Sequence, residues 1–253
     1  LMDYLLKNLN LFSGKGNEAL KNAAIWVAGS KIKFAGSFEA LPEMPQGTVE
    51  KDLAGKFVMA GMTETHAHLS FADASPFAIG ETLVEEATLT AVRNARLMLG
   101  SGFTSAVSFG STYKIDVALR DAISQGSVIG PRLLAAGRDL GATASNVDSG
   151  GGLSQIADGP WALRKAVREQ RKIGVDVVKI FIDGEAINKQ NPPGELSFTD
   201  EEVSAAVAEA HRRGMRVACH ARSAAAVKQA VRAEVDFIGH ANYLDLEAVD
   251  MLH

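Results

Sequence analysis

The stretch Phe57-Val-Met-Ala-Gly-Met-Thr-Glu-Thr-His66-Ala-His68-Leu-Ser-Phe71 is an apolar run that ends in two histidines one residue apart. On a β-strand, residues i and i+2 project from the same face, so His66 and His68 can present both imidazoles to one point. Such a pair can bind a metal ion, but histidines also occur as ordinary surface or core residues. The other residues of the chain must decide between these interpretations.

The composition is typical of a globular α/β protein, with 47% hydrophobic and 22% charged residues among 253. No apolar run approaches the ~20 residues that span a bilayer, and no secretory signal pattern is present. A net charge of −4 and dispersed Lys and Arg argue against a nucleic-acid partner. The single cysteine, Cys219, favours a reducing, cytoplasmic location. These observations predict neither a nucleic-acid partner nor a membrane span. We also expect a small-molecule substrate and a homo-oligomer.

Two regions differ in their hydrophobic pattern. Up to residue 56, short apolar runs are separated by Gly-Ser turns, which predicts a small β-sheet unit. From residue 57 onward, apolar strand-like runs alternate with helical stretches. The clearest helix has a capping box, Thr199 with Glu202, followed by apolar residues on one face, and it stops at Gly214.

This alternation predicts parallel strands joined by right-handed crossovers, hence a barrel or a doubly wound sheet. The first strand lacks the glycine-rich phosphate loop of the doubly wound folds, so a (β/α)8 TIM-type barrel is preferred. Only about six of the eight strands are recognisable, and we expect the chain to stop before strands seven and eight. The six predicted strands are Phe57 to Met62, Thr104 to Phe109, Arg132 to Ala136, Val175 to Ile182, Arg216 to Cys219 and Phe237 to Gly239.

Four of the six histidines fall at predicted strand ends, where a parallel barrel places its functional side chains. His66 and His68 close the first strand, His220 closes the fifth and His240 closes the sixth. This shared position favours a metal site over four unrelated histidines.

Lys179 lies within an apolar strand, Asp176-Val-Val-Lys-Ile-Phe-Ile182. Burial disfavours the ammonium form, and a neutral lysine amine is a nucleophile. It could form a Schiff base, react with carbon dioxide to give a metal-bridging carbamate, or bury its stem while its head reaches solvent. The histidines at the same level favour the carbamate.

The chain resembles the metal-dependent amidohydrolase superfamily. The motifs that carry the resemblance are the first histidine pair, Lys179 in a Val-Lys-Ile strand, His220 before Ala-Arg-Ser and His240 after Ile-Gly. The nearest branch carries a carboxylated lysine and includes prolidase-like, imidazolonepropionase-like and phenylurea hydrolase-like proteins. The resemblance implies that residues 1–56 form part of a small β-sandwich domain and residues 57–253 a hydrolase barrel.

The resemblance also implies two divalent metal ions, most simply zinc. His66 and His68 would bind one ion, His220 and His240 the other, and carboxylated Lys179 would bridge them. A metal-activated hydroxide would then cleave an amide, peptide, urea or carbamate. A more specific alternative is an Xaa-Pro or acyl-amino-acid dipeptidase, and a further alternative is a non-catalytic scaffold.

Two further expectations concern residues around this predicted site. The family's general acid/base aspartate is expected beyond residue 253, because Asp245 and Asp250 lie in a loop and helix after the sixth strand. Arg222 and Tyr243 lie next to predicted ligands and are candidate substrate-binding residues. Arg222 could bind a substrate carboxylate or form an internal salt bridge.

Overall fold

The computed structural model describes residues 2–72, 79, 82–148, 152–185 and 191–253. The chain divides into two compact units, Leu1–Gly61 and Met62–His253.

The first unit contains one four-stranded sheet within its described residues, with strand order β3-β2-β1-β4. The pairs β1–β2 and β2–β3 are antiparallel, whereas β1 and β4 are parallel. Leu9, Ala23 and Ile25 form its small core. The strands are β1 (Asp3–Phe12), β2 (Leu20–Ala28), β3 (Lys31–Ser37) and β4 (Val49–Met59).

The end of β4 corrects one sequence-based assignment. Phe57 to Met59 pair with Asn10 to Phe12 of β1, so they belong to the first unit and not to the strand that carries the histidine pair. That strand, β5, begins at Met62 after a break at Ala60 and Gly61. Both strands are apolar in this region, and hydrophobicity alone did not reveal the break.

The second unit alternates helices with parallel strands, as the hydrophobic pattern predicts. Its helices are α1 (Val84–Gly100), α2 (Ile115–Ser124), α3 (Pro160–Ile173), α4 (Asp200–His211), α5 (Ala224–Arg232) and α6 (Leu246–Met251). Besides β5, its strands are β6 (Phe103–Ser108), β7 (Arg132–Leu134), β8 (Asp139–Gly141), β9 (Ser154–Ile156), β10 (Val177–Phe181), β11 (Arg216–Ser223) and β12 (Phe237–Tyr243). The three-residue strands β8 and β9 were not predicted.

These strands form two parallel sheets, of order β5-β6-β7 and β12-β11-β10-β8-β9. The short segment between β7 and β8 connects them, because the Ala135 carbonyl accepts hydrogen bonds from the backbone N–H groups of Asp176 and Val177, at 2.8 and 3.1 Å. One row of strands therefore runs from β5 to β12, and all of its carboxyl ends lie on the same side.

The helix α4 shows how the sequence specifies its elements. The Thr199 hydroxyl accepts from the Glu202 N–H, and the Glu202 carboxylate accepts from the Thr199 N–H, so the predicted capping box is confirmed. The predicted apolar face of this helix is buried in the largest core cluster of the unit. Within the described residues, no helix combines the length and the apolar character needed to cross a bilayer.

Candidate metal centre

The carboxyl-terminal halves of three strands bring the four predicted histidine ligands together. The ring centroids of His66 and His240 are 4.7 Å apart, those of His220 and His240 are 4.4 Å apart, and those of His66 and His68 are 5.2 Å apart. These side chains come from β5, β11 and β12, and His68 follows β5 directly. The structure therefore gathers all four predicted histidines into one cluster.

His68 has a defined orientation because its Nδ1 lies 3.0 Å from the carbonyl oxygen of Gly110. A carbonyl can only accept, so Nδ1 carries the proton and the lone pair is on Nε2. The His68 ring stacks on Phe71, and the His66 ring stacks on Phe109, with centroid distances of 4.5 and 4.1 Å. These contacts fix two imidazoles in orientations suited to ligation.

His220 is held in a comparable way within β11, where its side chain is only 1% exposed. Its Nε2 donates to the Gly184 carbonyl at 3.4 Å, and its ring stacks on Phe181 with a centroid distance of 3.8 Å. The lone pair is therefore on Nδ1. This atom lies 3.6 Å from Oε1 of Glu185.

The backbone at His240 is unusual, because His240 and Ala241 have φ angles of 74° and 48°. Non-glycine residues rarely adopt this left-handed region, and they do so preferentially at functional sites. The β11–β12 register shifts between Ala221 and Ser223, next to this irregularity. The local distortion sets the direction in which the His240 side chain leaves the strand.

All four imidazoles have lowered pKa values. Burial lowers the pKa of His66 to about 3, that of His68 to about 4, that of His220 to about 2 and that of His240 to about 4. The positive charge of Lys179 contributes to each of the four pKa shifts. The rings are therefore neutral at neutral pH, the state in which imidazole binds a metal ion.

We expect the metal-free protein to lose stability as the pH falls below about 6.5. The folded-state pKa of His220 lies below its unfolded value of 6.5, so the unfolded chain binds the additional proton in this pH range. His220 alone contributes a slope of about 1.4 kcal/mol per pH unit. Urea unfolding of chelator-treated protein between pH 7 and 5 measures the slope, and His220→Asn should make it shallower. An equal slope in both proteins would contradict this expectation.

Lys179 is 1% exposed and is among the largest fully buried side chains of the described residues. Its Nζ donates to the Phe109 carbonyl at 2.9 Å and lies 5.1 and 5.6 Å from the ring centroids of Phe109 and Phe181. The alternative in which the lysine head reaches solvent is therefore wrong. The two alternatives that use the amine as a nucleophile remain.

Asp139, on β8, is a buried carboxyl group that the sequence did not single out. Burial raises its pKa to about 6, and the nearby carboxylate of Asp116 adds to the shift, whereas the positive charge of Lys179 opposes it. Its Oδ1 has no hydrogen-bond partner among the described residues. This oxygen lies 2.2 Å from the position that a Cβ atom on Gly110 would occupy.

Asp183 and Glu185, which follow β10, were also missed by the sequence analysis. Asp183 accepts from the backbone N–H groups of Arg222 and Ser223, each at 2.9 Å, and so fixes the end of β11 beside the site. Glu185, His220 and His240 each offer one ligand atom, and these atoms all lie within 4.8 Å of one another. No local motif marks either carboxylate, since both lie in an irregular connection.

The two candidate substrate-binding residues lie at the edge of this cluster. Arg222 donates through Nη2 to Glu185 Oε1 at 2.7 Å and through Nη1 to Asn242 Oδ1 at 2.6 Å. The internal salt bridge considered for Arg222 is therefore present. A substrate carboxylate would have to compete with Glu185 for the Arg222 guanidinium. Tyr243, at the end of β12, is 57% exposed. Substrate binding by either residue stays a prediction.

The donor atoms fit a divalent cation. Neutral imidazoles with defined lone pairs, together with a carboxylate, are the ligands that zinc and neighbouring transition metals prefer. The buried lysine between the two histidine groups could supply a further oxygen donor after carboxylation. The arrangement can therefore support hydrolytic chemistry with a metal-bound water.

Comparisons with known proteins agree with this chemistry. Residues 57–252 match the model of the amidohydrolase family. The chain is 27% identical over 270 residues to ochratoxinase of Aspergillus niger, a match that covers 96% of this chain and 55% of the relative. The chain therefore spans about half the length of the curated relatives that it matches.

Solved structures of similar fold include a prolidase complexed with N-methylphosphonate-L-proline and a Xaa-Pro dipeptidase with bound methionine. The prolidase has a TM-score of 0.91 and 25% identity, with 100% of this chain and 64% of the other covered. The dipeptidase has a TM-score of 0.87 and 28% identity, with 98% and 64% covered.

Proposed function

Since the chain belongs to the amidohydrolase family, we propose that it hydrolyses an amide-type C–N bond, in an amide, peptide, urea or carbamate, with a metal-activated hydroxide. One observation carries the proposal. Four neutral imidazoles and the buried Lys179 converge at the carboxyl ends of parallel strands. A scaffold without catalytic activity has no need for a buried lysine beside four histidines, so this alternative is less favoured.

The proposed ligands divide into two pairs. His66 and His68 bind one ion, His220 and His240 bind the other, and carboxylated Lys179 bridges them. The hydrogen bonds to the Gly110 and Gly184 carbonyls support ligation by His68 and His220, because each leaves a lone pair on the other imidazole nitrogen. Zinc suits this donor set best, and two zinc ions are proposed.

The chemistry divides between the ions and the protein. When bound, the divalent ions supply an activated water and polarise the scissile carbonyl. The imidazoles hold the ions in place, and the stacked rings of Phe71, Phe109 and Phe181 keep the imidazoles in fixed orientations. Phe109 and Phe181 also pack against Lys179, so its amine is kept from bulk solvent.

Carboxylation would convert the buried Lys179 amine into an anionic ligand. The neutral amine attacks carbon dioxide, a N–C bond forms, and one proton leaves the nitrogen. The resulting carbamate would offer two oxygens as ligands for the ions. Lys179 lies against Phe109 and Phe181, whose rings stack on His66 and His220, so the carbamate would lie between the two pairs.

We also propose that the second unit, Met62–His253, forms part of a TIM-type barrel and that the first unit, Leu1–Gly61, forms part of a small β-sandwich. The barrel is supported by the curvature of the strand row. β5 and β12 lie at opposite ends of this row, yet the ring centroids of His66 on β5 and His240 on β12 are only 4.7 Å apart. The cytoplasmic location and the homo-oligomer expected from the sequence also stay predictions.

Among possible substrates, an Xaa-Pro or acyl-amino-acid dipeptide is the more specific candidate. The similarity to the prolidase and the Xaa-Pro dipeptidase supports it. The test is elemental analysis of the purified protein, followed by hydrolysis assays with Xaa-Pro dipeptides, N-acyl amino acids and aryl ureas. Metal bound at the histidines and turnover of one class are expected. A full-length protein that binds no metal would refute the proposal.

A further inference from the structure

Glu185 lies beside two of the proposed ligands, in the connection that follows β10. Its Oε1 is 3.6 Å from Nδ1 of His220, and a ligand atom of His240 completes a group within 4.8 Å. The bridging lysine and the four histidines do not account for this carboxylate. Its place in the fold therefore calls for a separate explanation.

A hydrogen bond between Glu185 and His220 does not explain the contact. The Nε2 side of the His220 ring faces the Gly184 carbonyl at 3.4 Å and Asp183 Oδ1 at 3.7 Å, so Nε2 is the nitrogen that carries the proton. Nδ1 then presents a lone pair to the carboxylate. Neither atom can then donate to the other, so the contact is not a hydrogen bond.

The spacing suits a metal ion between the two atoms. Two ligands of a tetrahedral zinc ion, each about 2.1 Å from the metal, lie about 3.4 Å apart. The observed separation of 3.6 Å between Nδ1 and Oε1 is close to that value. A small rotation of the Glu185 side chain would bring both atoms to ligand distance.

Arg222 restrains the carboxylate from the other side. Its Nη2 donates to the same Oε1 at 2.7 Å, and its Nη1 is held by Asn242 at 2.6 Å. The Arg222 backbone is itself fixed by its N–H donation to Asp183. Glu185 is thus oriented toward His220 by a chain of hydrogen bonds.

We propose that Glu185 is a protein ligand of the metal ion at His220 and His240, and that Arg222 is the residue that positions it. The inference rests on the metal binding that the proposed function requires. It adds an anionic ligand to that ion besides the bridging carbamate. A substrate carbonyl that approaches this ion must therefore share or displace the Glu185 carboxylate.

The test uses the purified protein, freed of metal and titrated with cobalt(II), which reports coordination through its visible spectrum. Three variants are compared with the unmodified protein: Glu185→Gln, Arg222→Gln and the control Glu195→Gln. Glu195 lies in the same connection and is exposed, so its substitution makes the same chemical change away from the ligands. Thermal unfolding of each metal-free variant checks that it is folded.

We expect Glu185→Gln to weaken the binding of one cobalt ion by roughly tenfold or more and to change the visible spectrum of the bound ion. Arg222→Gln should weaken the binding of the same ion by a smaller factor, because the carboxylate is no longer held in place, but it should keep the spectrum because the carboxylate remains. Glu195→Gln should change neither property. If Glu185→Gln leaves both the cobalt affinity and the spectrum unchanged, Glu185 is only the partner of Arg222 and the inference is wrong. If Arg222→Gln leaves the cobalt affinity unchanged, Arg222 does not position Glu185. If the unmodified protein binds no cobalt, the proposed function fails as well.

Discussion

Replacing Lys179 with methionine is expected to lower kcat/KM by roughly 10³-fold or more and to reduce the number of bound metal ions. Methionine has a similar length and suits the apolar environment between Phe109 and Phe181, so the fold should be retained. It cannot be carboxylated, and the bridge between the two histidine pairs is lost. Elemental analysis and initial rates on the best substrate measure the two effects.

Lys165→Met is the matched control, because the Lys165 side chain on α3 is 77% exposed. It should leave metal content and rate unchanged. If Lys179→Met kept both the full metal content and the rate, the bridging role would be refuted. Trapping of Lys179 by borohydride in the presence of substrate would instead favour the Schiff base.

Replacing Gly110 with alanine is expected to destabilise the protein by about 2–4 kcal/mol and to weaken metal binding. Gly110 has a φ of 127°, and its new Cβ would lie 2.2 Å from Oδ1 and 2.9 Å from Cγ of Asp139. The buried Asp139 side chain has little room to move. Any backbone shift also displaces the Gly110 carbonyl that orients His68. Denaturant unfolding and metal titration measure the two losses.

Gly126→Ala separates backbone strain from steric overlap. Gly126 also has a positive φ, 78°, but a Cβ there would meet nothing within 4 Å. It should therefore cost less than Gly110→Ala and leave metal binding intact. Adding Asp139→Ala to Gly110→Ala should recover part of the lost stability. Equal losses at both glycines would show that the contact with Asp139 has no effect.

Several features of the cluster followed from sequence because they depend on local spacing. The pairing of His66 with His68 depends on the two-residue period of a strand, and α4 depends on its capping box. That His220 and His240 join them follows from the rule that parallel strands end on one side. For these elements, the residues that favour the local structure are also the residues that the fold needs at those positions.

Other features could not be predicted because they depend on contacts between distant parts of the chain. The strands β8 and β9 have three residues each, too few to show any alternation. Glu185 reaches His220 only because the connection after β10 folds back toward β11. Asp139 and Gly110 meet across 29 positions of sequence, and neither residue has a local signal for the contact.

The left-handed backbone at His240 and Ala241 has a consequence for protein engineering. Glycine or asparagine would adopt these φ angles with less strain, so backbone stability alone favours replacing both His240 and Ala241. A library selected only for heat tolerance would therefore enrich variants that have lost the His240 imidazole. Selection for stability and selection for turnover would diverge at this position, and a useful screen must score both.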